Sequence, residues 1–343
     1  MKTSLDSESM QKSRRRWNSI AKPLKSLGLL EEYITQIAGI SGTPDVKLDK
    51  RFAVIMCADN GVVCENVTQT GSEVTAIVAN AIADGSSNIN KIADVFNTEV
   101  IAVDIGINSD VDNKSLINKK IAYGTKNISY EPAMTSEQAL KAISVGTDIA
   151  GELKNKGADI IITGEMGIGN TTTSSAVASV LLGKSPELVT GKGSGLDEER
   201  FQHKIEIIKR AIEINSPEKD NPIDILSKLG GFDIAGMTGL FLGGAVHHIP
   251  IVIDGVISAV SALLAYRINP ESKNFMLCSH VSREPAGKLI LDAIGLRPII
   301  DAGLCLGEGT GGIFLLPMLD GALSVYNSSH KFENLPMERY VEF

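Results

Sequence analysis

The chain lacks a basic surplus: Lys and Arg number 33 against 41 Asp and Glu, a net charge of −8. That argues against a nucleic-acid binder, whose electrostatic footprint is a cationic patch. The one dense basic run, Lys12-Ser13-Arg14-Arg15-Arg16, lies near a polar terminus and reads as a solvated helix face. Cysteine is scarce as well. Cys57, Cys64, Cys278 and Cys305 form no CxxC pair and have no His pair at zinc-ligand spacing, so reduced thiols in a cytoplasmic protein are expected, without a metal. Long apolar runs are missing too. The most apolar stretch, Gly239 to Tyr266, is interrupted by His247, His248, Pro250 and Asp254, and residues 1–30 have no apolar h-region, so neither a membrane span nor a signal peptide is expected. The adjacent His247 and His248 diverge in any regular structure and read as structural. Nor does HExxH, GxSxG, HxE with PCxxC, or GxxxxGK[ST] occur, which removes the commonest zinc hydrolase, serine hydrolase, deaminase and P-loop readings.

What is present is an ordinary soluble-protein composition over 343 residues, 43% hydrophobic and 22% charged, enough for one large domain or two. Glycine is in excess, 33 residues, where about 7% of a chain is usual; this points to binding loops. Five short apolar runs end in a polar residue or a glycine: Phe52–Cys57 before Asp59, Val100–Val103 before Asp104, Ile160–Ile162 before Gly164-Glu165, Ile249–Ile253 before Asp254, and Phe275–Leu277 before His280. Such runs, alternating with helical periodicity, predict an α/β fold with a parallel sheet, whose ligand crevice lies outside the strand carboxyl ends. Thr135 to Lys154 predicts an amphipathic helix with Thr135 and Gln138 as a capping box. Ile205–Ile212 predicts a surface helix, Gly311–Tyr326 a long apolar one, and Trp17–Ile40 a helical lead-in broken at Pro23 and stopped near Gly39.

Three segments have the composition of a site. Thr163-Gly164-Glu165-Met166-Gly167-Ile168-Gly169-Asn170-Thr171-Thr172-Thr173 follows a buried run and opens an Ala/Ser-rich helix, a pattern that turns backbone N–H groups toward an anion, with Asn170 and Thr171 adding donors. Gly191-Lys192-Gly193-Ser194-Gly195-Leu196-Asp197 offers further donors, with Lys204 in the next helix; a lysine so placed is ordinarily solvated. Leu304-Cys305-Leu306-Gly307-Glu308-Gly309-Thr310 sets a carboxylate among glycines, where partial desolvation would raise its pKa and make it a better base, although a surface turn fits the same residues. Asp254 is a strand-end acid that serves equally to cap a helix.

Taken together these blocks, with Ala58-Asp59-Asn60-Gly61-Val62, Glu73-Val74-Thr75, Leu229-Gly230-Gly231-Phe232 and Ser279-His280 followed by Ser282 and Glu284-Pro285, closely resemble the nicotinate-nucleotide–dimethylbenzimidazole phosphoribosyltransferase family over nearly the whole chain. The resemblance implies transfer of 5-phosphoribosyl from nicotinate mononucleotide to a base nitrogen, with inversion at the anomeric carbon and no metal or organic cofactor. It implies Glu308 as the general base, Glu165 and Asp254 as further acids of the site, and Lys204 with the Gly167/Gly169 loop at the phosphate. Asn170, Thr171, Ser282, Leu306 and Gly307 fall in matching blocks and are expected to line the substrate site. It also implies a Rossmann-like α/β domain (46–317), a small helical domain from both chain ends (1–45 and 318–343), and a homodimer. One departure concerns the base: Thr68 stands where relatives typically have serine and Ile77 where they have glutamine, which predicts relaxed base choice. A nicotinamide-dinucleotide oxidoreductase lacks its complete GxGxxG with a following acid, and a catalytically silent nucleotide-binding protein would have no need of a carboxylate in a glycine bed.

Overall fold

The computed structural model describes residues 4–193, 195–328 and 330–340. Six strands form one all-parallel sheet: β1 (Arg51–Ala58), β2 (Thr98–Gly106), β3 (Ile117–Asn118), β4 (Ile160–Met166), β5 (Ile251–Ile253) and β6 (Met276–Cys278), in the order β3-β2-β1-β4-β5-β6. This is the doubly wound Rossmann order, which reverses direction between β1 and β4 and opens a crevice beyond their carboxyl ends. The five expected runs all become strands. The edge strand β3 gave no sequence signal because two residues carry no periodicity.

Buried on both faces, β1 is a continuous apolar run, as a central parallel strand requires. Val54 and Met56 join the core under the helices Ser136–Asn155, Phe232–His247 and Val256–Ile268, while Ala53, Ile55 and Cys57 join the opposite core, with Ile34, Ile37, Leu316 and Leu319. The Thr135–Gln138 capping box is formed: Gln138 N–H donates to Thr135 Oγ1 at 3.1 Å and Thr135 N–H to Gln138 Oε1 at 2.9 Å.

The break expected at Pro23 is present, and the bounds of two helical segments need correction. The lead-in is two helices, Ser7–Ser19 and Leu29–Ser41, because Asp6 caps the first by accepting the Ser9 N–H, and Pro23 lies in the break between them. Gly39 does not stop the second, which ends at Gly42 in a left-handed conformation (φ 70°). The C-terminal helix is split into Thr310–Ile313 and Leu315–Tyr326. Trp17 packs on Tyr326 with ring centroids 4.9 Å apart, and the Arg16 guanidinium lies 4.7 Å from the centre of the same Tyr326 ring, so the two chain ends meet.

The glycine excess is only partly a matter of loops. A Cβ on Gly146 would come within 2.0 Å of the Gly236 carbonyl oxygen, and one on Gly239 within 2.0 Å of that of Ile143. The helices Ser136–Asn155 and Phe232–His247 therefore touch backbone to backbone along a glycine seam. No helix of the described residues is long and apolar enough to cross a membrane.

Candidate active site

The carboxyl ends of β4 and β5 open into a cavity of about 220 Å³. Its wall includes Glu165, Asp254 and Glu308 together with Gly167, Gly169, Asn170, Thr171, Thr68, Ser282, Leu306 and Gly307. Thus the three dispersed sequence segments converge on one space. Two of the expected residues are not in its wall. Ile77 is 63% exposed on the helix Glu73–Ala83, and Lys204 lies behind Thr171, fully buried. Ser194 lies outside the described residues.

Glu165 is the last acid of β4 and is held from two sides. Asn170 Nδ2 donates to its Oε2, and the Glu308 backbone N–H approaches its Oε1 at 3.5 Å. Asn170 also donates to Asp233 Oδ2 at 2.9 Å, so one amide bridges two buried acids. Burial pushes the Glu165 carboxyl up to about 8, helped by the negative charges of Asp233 and Asp254. The ligand-free protein at neutral pH therefore holds Glu165 mainly as a neutral acid. Burial likewise takes Asp233 to about 6.

Asp254 follows β5 and grips the third segment. Its Oδ2 accepts the Gly309 N–H at 3.2 Å and its Oδ1 the Gly312 N–H at 2.9 Å. Burial raises its carboxyl despite the favourable His280 and backbone donors, while burial lowers His280. This grip shapes the loop that carries Glu308. Gly307, Glu308 and Gly309 all have positive φ (80°, 60° and 86°), which for a non-glycine residue costs about 1–2 kcal/mol. The same loop lies so close to β4 that a Cβ on Gly164 would come within 2.7 Å of the Glu308 carbonyl oxygen. A glutamate forced into that conformation is a feature to explain by function. Its Oε2 is buried without a hydrogen-bond partner, and burial raises its carboxyl above the ordinary range.

The other end of the cavity is built for negative charge. Gly169 (φ 91°) caps the helix Asn170–Leu182, whose N-terminus faces the space. Lys204 Nζ donates to Thr171 Oγ1 at 2.9 Å and to the Gly191 carbonyl at 3.3 Å. The expectation of a solvated lysine is overturned, because the helix Glu198–Asn215 turns this side chain inward along with Ile205, Ile207 and Ile208. Burial brings its pKa down to about 8, opposed by Glu284, whose Oε1 accepts the Gly193 N–H at 3.2 Å. A helix N-terminus thus stands at one end, with Glu284 in the wall and Lys204 buried behind it, and the carboxyl groups of Glu165, Asp254 and Glu308 at the other. Among the described residues no group of three or more His, Cys, Asp or Glu is arranged to hold a metal ion.

A family model described as phosphoribosyltransferase matches residues 3–335. The chain is 47% identical over 336 residues to the nicotinate-nucleotide–dimethylbenzimidazole phosphoribosyltransferase of Clostridium acetobutylicum, covering 98% of this chain and 96% of that protein. It is 46% identical to the enzyme of the same name from Ruminiclostridium cellulolyticum, with the same coverage. The chain belongs to the nicotinate-nucleotide–dimethylbenzimidazole phosphoribosyltransferase family. The crystal structure of CobT from Thermus thermophilus superposes with a TM-score of 0.91 at 32% identity, covering 97% of this chain and all of that one.

Within this phosphoribosyltransferase fold two cavity groups, His280 and Glu284, and one acid buried behind the wall, Asp233, escaped sequence reasoning. Asp233 sits directly after the Leu229–Phe232 block but reads as an ordinary first-turn acid, and its contact with Asn170 spans 63 positions. His280 and Glu284 belong to a quoted block yet gain meaning only from neighbours far along the chain, Asp254 after β5 and Gly193 in a turn. A usable signal was there for Asp233: a single acid opening an otherwise apolar, glycine-rich helix.

Proposed function

We propose that this protein transfers the 5-phosphoribosyl group of nicotinate mononucleotide to 5,6-dimethylbenzimidazole or a related lower-ligand base. The products are the α-riboside 5′-phosphate and nicotinate, as used in assembling the cobalamin nucleotide loop. The observation that carries this reading is Glu308, a left-handed, half-buried glutamate whose Oε2 has no hydrogen-bond partner, in a cavity whose opposite wall is the N-terminus of the helix Asn170–Leu182.

The polarity of the cavity orients the substrate. The phosphate is held at the Gly169–Thr171 helix N-terminus and the Gly193 loop, backed by Lys204, which places the ribose C1′ toward the acids. The C1′–N bond to the pyridinium breaks with its electron pair going to the nicotinate nitrogen, so the leaving group needs no proton. A base nitrogen attacks C1′ from the opposite face, which inverts the centre. The N–H proton of the base passes to Glu308, whose raised pKa suits a general base. Positive charge that develops on the ribose faces Asp254 and Glu165, and burial makes each such interaction stronger than in water. Glu165, largely neutral when the site is empty, gives its proton to solvent as the positively charged pyridinium of the substrate binds, and so faces the ribose as a carboxylate.

Thr68 lies in the cavity wall and supports the reading of relaxed base choice, whereas Ile77 lies outside that wall within one chain. We read the active form as a homodimer on the strength of the family resemblance, and as cytoplasmic from four unpaired cysteines. We read residues 1–45 and 318–343 as one small helical unit, supported by the Trp17–Tyr326 and Arg16–Tyr326 contacts. Incubation with nicotinate mononucleotide and, separately, dimethylbenzimidazole, benzimidazole, adenine or phenol tests the reaction by nicotinate release and product mass. Product with several bases supports both the activity and the relaxed choice. No nicotinate release with any base would leave a silent nucleotide-binding protein.

A further inference from the structure

Neither the proton transfer nor the phosphate grip uses His280, although it lines the active-site cavity beside Asp254, Gly255 and Ser282. Its place follows from the sheet. β5 and β6 pair in register, with Ile253 beside Cys278, so the residues just beyond their carboxyl ends, Asp254 and Ser279-His280, are neighbours. His280 is 3% exposed, and a polar side chain so deeply buried ordinarily has its hydrogen-bonding atoms matched. Only one ring nitrogen is. Nδ1 lies 3.0 Å from Ser279 Oγ, whereas Nε2 has no partner among the described residues. Nε2 is not sealed from solvent, and it is the atom that a Cβ on Gly255, in the cavity wall, would approach, at 4.0 Å.

The neighbours of Nδ1 fix where the ring proton sits. Ser279 Oγ donates its single proton to the Ile253 carbonyl at 2.6 Å, so toward the ring it can only accept. Asp254 is an acceptor on the same side: a Cβ on Gly311 would come within 2.3 Å of His280 Nδ1 and 2.9 Å of Asp254 Oδ1. Nδ1 therefore carries the hydrogen. Burial disfavours the imidazolium against the pull of Asp254, so the ring is neutral near pH 7 and Nε2 presents a lone pair to the cavity. Few substrate groups can donate to it. The phosphate and the nicotinate carboxylate only accept, the pyridinium nitrogen carries no hydrogen, and the N–H of the incoming base goes to Glu308. The two ribose hydroxyls remain.

Resting on the phosphoribosyl reading, we propose that His280 is a substrate-binding residue whose Nε2 accepts a hydrogen bond from a ribose hydroxyl of nicotinate mononucleotide. A phosphate held at the helix N-terminus leaves the sugar free to turn about its C5′ bonds. A second hold at a hydroxyl stops that rotation and keeps C1′ toward Glu165 and Asp254, which is the orienting part of catalysis.

The test compares nicotinate mononucleotide with its 2′-deoxy and 3′-deoxy analogues in wild type, His280→Asn and His280→Gln. Asparagine keeps an amide N–H close to where Nδ1–H stands and offers nothing at Nε2, whereas glutamine carries its amide out to the Nε2 position. Binding is read by calorimetry without a base, and turnover by nicotinate release with dimethylbenzimidazole. We expect one of the analogues to bind wild type about tenfold more weakly than the ribonucleotide, the worth of one well-made hydrogen bond. That difference should vanish in His280→Asn and return in part in His280→Gln, and the analogue concerned identifies the hydroxyl. A merely structural histidine would weaken all three ligands alike and leave the difference in place. That outcome, or equal binding of all three ligands by wild type, overturns the proposal. Binding with this pattern but without turnover overturns the reaction and leaves the contact standing. Should His280→Asn fail to fold, nitrogen-15 spectra of wild type decide instead: the unprotonated His280 nitrogen should shift with the ribonucleotide and not with that analogue, and an unmoved resonance overturns the proposal.

Discussion

Asp104 and Glu165 flank the central strand at nearly the same height, opposite Cys57 and Met56 of β1 respectively, yet the fold treats them in opposite ways. Asp104 is fully matched. Its Oδ1 accepts the Gly106 and Ile107 N–H groups at 3.1 and 2.9 Å, and Lys120 Nζ stands 3.2 Å from its Oδ2. Glu165 has a neutral amide and two neighbouring acids, and no cation. A strand-end carboxylate is therefore not itself a sign of function. What distinguishes the two is whether the surroundings settle the charge or leave it to be settled by a ligand: the β2 side is finished structure, and the β4–β5 side is incomplete until something binds.

Glu308→Gln should have the largest effect, a fall in kcat of about 10²–10⁴-fold with KM for nicotinate mononucleotide little changed, because it removes the proton acceptor alone; steady-state kinetics would show it. Unchanged turnover would remove Glu308 as the base. On the finished side, Asp104→Asn removes the carboxylate partner of Lys120, which keeps the Ile107 and Ser109 carbonyls, and should cost about 1.5–3 kcal/mol of stability, the worth of a hydrogen bond to a charged group. It should leave kcat of the folded enzyme intact, as denaturant melts and assays at saturating substrate would report. A loss of kcat without a loss of stability would break the contrast.

Lys204→Met is expected to raise KM for nicotinate mononucleotide about tenfold, the worth of a charge-assisted contact. It should also stabilise the empty protein near pH 7. The wild-type lysine has its folded pKa depressed to about 8 from 10.5, so burial of its charge is a penalty that grows as pH falls through 8 and is absent above 10.5. Glu165→Gln gives the subtlest readout. Glu165 has its folded pKa raised from 4.5 to about 8, so its contribution is fully present below pH 4.5 and is lost as pH rises through 8. Thermal melts of the variant should fall less between pH 5 and pH 9 than those of wild type.

How far the sequence leads depends on the kind of contact. The α/β class, five of six strands and the Thr135–Gln138 cap were legible from local periodicity, whereas Glu308 and Asp254 fit a surface turn and a helix cap equally well, and it was the family resemblance that joined them with Glu165. The burial of Lys204 was not legible, since a helix position alone does not say which face meets the glycine loop. Asp233 was hidden for a similar reason: its partner Asn170 is brought to it by the sheet order. Glycine misled in one respect, because backbone contact between two helices and a ligand loop leave the same mark on composition.

That helix contact reaches further than packing. Phe232–His247 carries Asp233 in its first turn and the seam glycines Gly236 and Gly239 along its length, so the seam fixes where one end of this helix sits beneath the active site. A methyl group added at Gly239 would lever the helix away from its neighbour, carry Asp233 off Asn170, and so detune the proton affinity of Glu165 from the middle of the core. The acid–base setting of the cavity is in this sense mechanically loaded, and its calibration is kept by two helices that never touch a substrate.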